Sequence, residues 1–237
     1  MMGKGQRDDT TLQSSGRKMN CSVREYLEGV KDDITGCSRC MLAERYCKEL
    51  RARNMRLTIE NLPSKIEYLV LAESPPKSYK FFYDLHSDGH GWLGNIVFPG
   101  FCLEFVDRPL QGKAKEQLLT ELQSKGVIMF DSCQCACNYL GKSDDRERKR
   151  AESERRAELV PSCYEQHARE IVNRILESNL SVYILPVFPK NHPGDGVIEA
   201  LRKQGFQRLS EEKRVLVLPN WRGLAGVWQR PAKRDSA

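Results

Sequence analysis

The sequence contains no long hydrophobic run. Its longest apolar stretches, Tyr68–Ala72 and Val182–Phe188, are far shorter than the ~20 residues that a membrane-spanning helix needs. The first residues, MMGKGQRDDTTLQSSGRK, hold no apolar signal core. We therefore expect an intracellular protein, in the cytoplasm or nucleoid, without membrane contact.

Two further motifs are missing. The pattern G-x-x-x-x-G-K-[ST], whose backbone amides cradle nucleotide phosphates, does not occur. Nor does the C-x-x-x-C-x-x-C triplet that radical chemistry with S-adenosylmethionine needs. These absences disfavour P-loop enzymes and that branch of radical enzymes.

Cysteine, in contrast, is plentiful and clustered. The chain holds nine cysteines, an odd number, which disfavours a paired disulfide framework. Cys37-x-x-Cys40 fits zinc, an iron–sulfur cluster or a redox pair. A redox pair usually follows a strand, whereas this motif precedes the first predicted strand. We therefore favour metal binding for this pair.

A second cysteine group could complete a four-thiolate site. Cys133, Cys135 and Cys137 follow the second predicted strand, and Cys163 begins the next predicted helix. Soft thiolates suit an iron–sulfur cluster or zinc. The alternative is that these cysteines pack as small buried hydrophobes, which we expect of the remaining three, Cys21, Cys47 and Cys102.

Strand and helix patterns alternate along the chain. The predicted strands are Ile66–Ala72, Gly126–Asp131, Leu180–Phe188 and Arg214–Leu218, and the predicted helices between them are Gln111–Ser124, Cys163–Leu176 and Gly196–Gln204. This order predicts an α/β fold, a three-layer sandwich with a central four-stranded parallel sheet flanked by helices. In such sheets ligands bind beyond the carboxyl ends of the strands.

Composition divides the chain into one domain with appendages. Residues 1–20 read as a disordered lead, residues 21–230 as a single domain, and residues 231–237 as a basic tail. A charged insert covers residues 142–160 and reads as an exposed helix or a mobile segment. Residues 202–237 hold nine Lys/Arg and three Asp/Glu, a surplus equal to the net charge of +6. This excess suits a polyanion such as DNA, although a solvated tail is the plainer alternative.

Two motifs resemble a known family. Cys37-Ser-Arg-Cys40-Met-Leu, followed by a strand ending in Ala72-Glu73-Ser74-Pro75-Pro76, is similar to the iron–sulfur branch of the uracil-DNA glycosylase superfamily. That branch reads C-x-x-C-x-L and then a strand ending in GEAPG. The resemblance covers roughly residues 35–230 and implies a [4Fe–4S] cluster, with zinc as the alternative. The ligands that it implies are Cys37, Cys40, Cys135 and Cys163, with Cys133 or Cys137 as alternatives for the third.

The last predicted strand carries a further match. Residues 218–224, LPNWRGL, resemble the LPNPSGL element of the mismatch-specific branch, in which Asn replaces the more common His. Trp221 and Arg222 stand where that element has Pro and Ser, and Pro76 stands where Gly is usual. His192-Pro193 is a second candidate for the histidine motif, but it precedes a helix.

The resemblance implies a role for each candidate residue. Glu73 would stabilise the cationic sugar and orient the attacking water, and Asn220 would donate to the departing base. Base-binding side chains would be Phe82, Asp131 and Ser132. The gap left by the extruded base would be filled from the last motif, by Trp221, Arg222 and Leu224.

Three functional hypotheses follow. The first is a monomeric DNA glycosylase that hydrolyses the N-glycosidic bond of uracil or a related damaged base. The second is a non-catalytic nucleic-acid-binding module on the same scaffold, with a structural metal cluster. The third is an α/β enzyme that acts on a small molecule and holds a Cys₄ zinc site.

Overall fold

A computed structural model describes residues 23–31, 44–75, 81–87, 91–102, 110–133, 146–179, 182–187 and 194–203 of the 237-residue chain. Among these residues, no helix is long and apolar enough to span a bilayer.

The described part of the chain is built on an open parallel sheet. Its three strands are β1 (Tyr68–Ala72), β2 (Val127–Asp131) and β3 (Tyr183–Pro186), in the order β2-β1-β3. Every residue of β1 and β2 is buried, as expected of strands covered on both faces. The α/β class is thereby confirmed. The fourth predicted strand, 214–218, lies outside the described residues.

Helices flank this sheet. Residues 23–30 are helical (α1), and the later helices are α2 (Glu44–Glu60), α3 (Gly91–Phe101), α4 (Gly112–Ser124), α5 (Arg146–Cys163), α6 (Arg169–Ser178) and α7 (Gly194–Lys203). The sequence pattern did not predict α3, which contains Pro99. Its Val97, Phe98 and Phe101 are buried, so tertiary packing outweighs the poor helix propensity of its glycines and proline.

The predicted start of a helix at Cys163 is wrong. The chain is already helical from Arg146, and Cys163 has helical backbone angles, φ −66° and ψ −39°. A π-helical turn, Tyr164–Ala168, then joins α5 to α6. Pro161 interrupts the hydrogen-bond ladder without ending the helix, because Val160 and Tyr164 are buried beside it. The predicted charged insert thus forms most of a helix that is continuous with the core.

Aromatic contacts connect α3 to the sheet. The Tyr68 ring stacks on Tyr183 and meets Phe101 edge-on, both at 5.3 Å between ring centroids. On the outer side of β2, the phenol oxygen of Tyr83 accepts a hydrogen bond from the Met129 amide at 2.7 Å. Tyr83 therefore contacts the β2 edge that does not face β1.

Candidate active site at the carboxyl ends of β1 and β2

The chain continues past β1 and β2 with its polar residues side by side. The Ser132 amide donates to the Ala72 carbonyl at 2.7 Å, and the Cys133 amide donates to the Glu73 carbonyl at 2.9 Å. These bonds extend the register Ala72↔Asp131 beyond the strand ends. Glu73, Asp131 and Ser132 are thus brought to the edge of the sheet where α/β proteins bind ligands.

Glu73 is buried and paired with a cation from α5. Its side chain is 7% exposed, and the Nε of Arg156 donates to its Oε1 at 2.7 Å. The Arg156 Nη2 contacts the same oxygen. Oε2 accepts no hydrogen bond from any residue that the structure describes. A buried carboxylate needs such a partner, because its desolvation otherwise costs several kcal/mol.

Asp131 is buried on β2 and held by α2. The amide Nδ2 of Asn54 donates to its Oδ2 at 2.8 Å. Burial raises the pKa of Asp131 to about 7, the Asn54 hydrogen bond opposes this rise, and the negative charge of Glu73 adds to it. Near neutral pH the side chain is therefore divided between a neutral acid, which donates, and a carboxylate, which only accepts. Strongly perturbed carboxyl groups of this kind are concentrated at functional sites.

Ser132 carries a buried polar atom that no described residue satisfies. Its side chain is fully buried, and its Oγ has no hydrogen-bond partner among the residues that the structure describes. Leaving a buried hydroxyl unpaired costs about 1–3 kcal/mol. Because native proteins rarely tolerate this cost without a reason, the hydroxyl is a candidate for ligand binding. The register places Ser132 next to Glu73.

The aromatic segment after β1 is fixed in the core. Phe82 is buried, stacks on Phe98 at 5.1 Å between centroids and meets Tyr83 edge-on at 4.9 Å. Lys115 of α4 is fully buried beneath this segment, and its Nζ donates to the Asp84 carbonyl at 2.7 Å. Burial lowers the pKa of Lys115 to about 8. Phe82 therefore has a packing role here, and base stacking by this ring stays a prediction.

Most of the predicted cluster ligands and the last motif lie outside the described residues. This applies to Cys37, Cys40, Cys135, Asn220, Trp221, Arg222 and Leu224. Of the four predicted ligands, Cys163 is described. It is buried and forms no disulfide bond with a described cysteine, and the same holds for Cys102 and Cys133. In the described part of the chain, no three His, Cys, Asp or Glu side chains are grouped to hold a metal ion. The cluster stays a prediction.

The sequence does not predict two residues of this site, Arg156 and Asn54. Arg156 is one of many charged residues in a mixed segment, so nothing distinguishes it before folding. Asn54 offers a weak signal, because it shares the buried stripe of α2 with Met55 and Thr58. A polar residue on an apolar helical face must find a hydrogen-bond partner, and here the partner is Asp131.

The pattern G-x-G-x-x-G occurs once, over residues 89–94. In a dinucleotide-binding fold these glycines form the tight turn that directly follows a strand. Here Gly91 begins α3, whereas β1 ends much earlier, at Ala72. The motif therefore does not occupy the position that phosphate binding requires, and it gives no support to a nucleotide cofactor.

Similarity to known proteins does not identify the site. Comparison of the chain with family models, with curated proteins and with solved structures gave no match. The functional argument therefore depends on the buried carboxyl groups, the Ser132 hydroxyl and the cation described above.

Proposed function

We propose that the chain is a DNA base glycosylase that hydrolyses the N-glycosidic bond of uracil or a related damaged base. The observation that supports this proposal best is the buried Glu73 carboxylate, held by Arg156 beside Asp131 at the carboxyl ends of two parallel strands. The motif around Glu73 is the one that resembles the uracil-DNA glycosylase superfamily.

Glu73 supplies the electrostatic part of the reaction. As the C1′–N bond breaks, its electron pair leaves with the base, and the sugar becomes cationic. A carboxylate next to C1′ stabilises this charge and accepts a hydrogen bond from the attacking water. Oε2 suits this role, since both guanidinium contacts from Arg156 fall on Oε1. The water oxygen bonds to C1′, and a proton passes to the departing base.

Asp131 and Ser132 supply the hydrogen bonds that hold the extruded base. Uracil presents carbonyl acceptors and an N–H donor on its edge. The neutral form of Asp131 donates to a carbonyl, and the Ser132 hydroxyl both donates and accepts. Extrusion of the base costs a few kcal/mol, which such contacts offset. Asn220 is proposed, on the resemblance alone, to donate to the carbonyl on which negative charge collects.

The partner and cofactor are proposed on the sequence. The basic residues of segment 202–237 would contact DNA phosphates, which makes affinity fall as salt rises. Cys37, Cys40, Cys135 and Cys163 would hold a [4Fe–4S] cluster that ties the N-terminal segment to α5. The cluster would be structural, and no step of the hydrolysis is assigned to it.

One observation favours the non-catalytic nucleic-acid-binding module as a second candidate. The guanidinium of Arg156 neutralises the Glu73 charge, as it would in a purely structural ion pair. On this alternative the chain binds DNA, and no base is released.

Base release from defined oligonucleotides separates the two candidates. The full chain, purified anaerobically, is incubated with single- and double-stranded oligonucleotides that carry uracil, hypoxanthine or no modification, and alkali-labile sites are counted. The glycosylase proposal expects cleavable sites at a modified base and none in the unmodified strand. DNA binding without sites at any modified base would overturn the proposal in favour of the non-catalytic module.

A further inference from the structure

We infer that Arg156 is a positioning residue for Glu73, so that the charged helix α5 forms part of the active site. This inference rests on the proposed function and deepens it. Its basis is the contact between two distant segments, since Arg156 and Glu73 are 83 residues apart in sequence.

The contact geometry selects one carboxylate oxygen. Nε donates to Oε1 at 2.7 Å, and Nη2 contacts the same atom. Two donors from one planar guanidinium on a single oxygen restrict rotation of the carboxylate more than one ammonium would. The second oxygen, Oε2, is left for water and the sugar. Arg156 thereby sets which oxygen faces the reaction, without touching substrate itself.

Burial distinguishes this ion pair from the Arg150–Glu154 pair on the same helix. The Arg156 and Glu73 side chains are 14% and 7% exposed, whereas those of Arg150 and Glu154 are 82% and 64% exposed. Exposed pairs contribute little, because solvent screens them. The buried pair holds a charge that has lost its hydration, so its geometry has larger consequences.

The C-terminal end of α5 is anchored, which fixes the place of Arg156. Val160 and Cys163 are buried one and two turns beyond it, on the same side of the helix. Gly196 of α7 packs so closely on Pro161 that a Cβ atom at this glycine would clash with the proline ring. The helix therefore presents Arg156 from a rigid base, as precise positioning requires.

Single-turnover base release tests the inference, with DNA affinity measured on the same proteins. The variants are Arg156→Met, Arg156→Lys, and Arg150→Met as a matched control on the exposed side of α5. We expect R156M to lose about 100-fold in rate, the size expected from misplacing a reacting group by about 1 Å. Its affinity for DNA should stay within about twofold of wild type, and R150M should keep the wild-type rate. R156K keeps the charge without the planar guanidinium, so its rate of base release should lie between those of R156M and R150M.

A double-mutant cycle shows whether Arg156 acts through Glu73. In a Glu73→Gln background, R156M should cause no further loss of rate. If R156M lowers the rate in the Glu73→Gln background as much as it does in wild type, positioning through Glu73 is overturned. An R156M single variant with the wild-type rate would overturn it as well. In both cases the proposed function stands, because wild type releases base. A wild-type protein that releases no base overturns the proposed function instead. Thermal unfolding of each variant shows whether a loss of rate comes from a loss of folded protein. If R156M is unfolded, the rate of R156K provides the test.

Discussion

Asp131→Asn tests whether burial holds the carboxyl group at the end of β2 in its neutral form. The pKa of Asp131 is raised from 3.8 to about 7, mainly by burial. In the unfolded chain the same group ionises near its ordinary pKa of 3.8. Unfolding between these two values therefore releases a proton. It follows that this group makes the protein less stable as pH rises from about 4 to about 7.

The size of this effect follows from the pH interval between the unfolded and folded pKa values of Asp131. Each pH unit inside it changes the free energy of unfolding by about 1.4 kcal/mol for one proton. Between pH 5 and pH 7 the loss is therefore about 2 kcal/mol, because the folded group itself begins to ionise as the pH reaches its pKa of about 7. The asparagine variant has nearly the same shape, and its amide oxygen can still accept from Asn54, but it has no ionisation to oppose folding.

Urea unfolding of both proteins, followed by circular dichroism at pH 5 and pH 7, measures this effect. The difference in unfolding free energy between D131N and wild type should move by about 2 kcal/mol in favour of D131N on going from pH 5 to pH 7. Taking the difference cancels the groups that titrate alike in both proteins. A difference that is the same at both pH values would refute the reasoning, because Asp131 would then ionise in the folded protein with its ordinary pKa.

Four further substitutions test the packing of the fold by the same unfolding assay. Gly126→Ala should lose more than about 1 kcal/mol, since Gly126 has φ +70° and a Cβ there would lie 2.6 Å from the Lys65 carbonyl; unchanged stability would contradict this. Lys115→Met should lose about 1–3 kcal/mol by leaving loop carbonyls unpaired. Folding lowers the pKa of Lys115 to about 8, so the free energy of unfolding of wild type should rise relative to that of K115M as pH rises from 8 to 10. A difference in unfolding free energy that stays constant over this range would refute the prediction. Gly196→Ala should destabilise the protein through its clash with Pro161, and adding Pro161→Ala to that variant should restore part of the lost stability. If the double variant is no more stable than G196A, the destabilisation does not come from this clash.

The sequence predicts the strands better than the helix boundaries. Each strand is a continuous apolar run that ends in polar or proline residues, and parallel strands buried on both faces require such runs. The sequence does not predict α3, because its glycines and Pro99 disfavour a helix locally, and its buried Phe98 and Phe101 stabilise it only in the folded chain. The predicted helix boundary at Cys163 is wrong for a similar reason, since tertiary packing allows the helix to continue through Pro161.

The sequence likewise predicts only some of the site residues. Glu73, Asp131 and Ser132 could be selected from the sequence because they follow buried strands, and parallel strands end at one edge of a sheet. Their partners could not be selected. Arg156 and Asn54 reach them over 83 and 77 residues, so only the folded chain brings them together.

The most direct measurement of the central claim is the single-turnover rate of base release by wild type and Glu73→Gln, with DNA affinity determined for both. Glu154→Gln, on the exposed side of α5, is the matched control. Removing one electrostatic group of this kind costs about 10²–10³ in rate. The account predicts such a loss for E73Q alone, with DNA affinity unchanged. Equal rates for wild type and E73Q would contradict it.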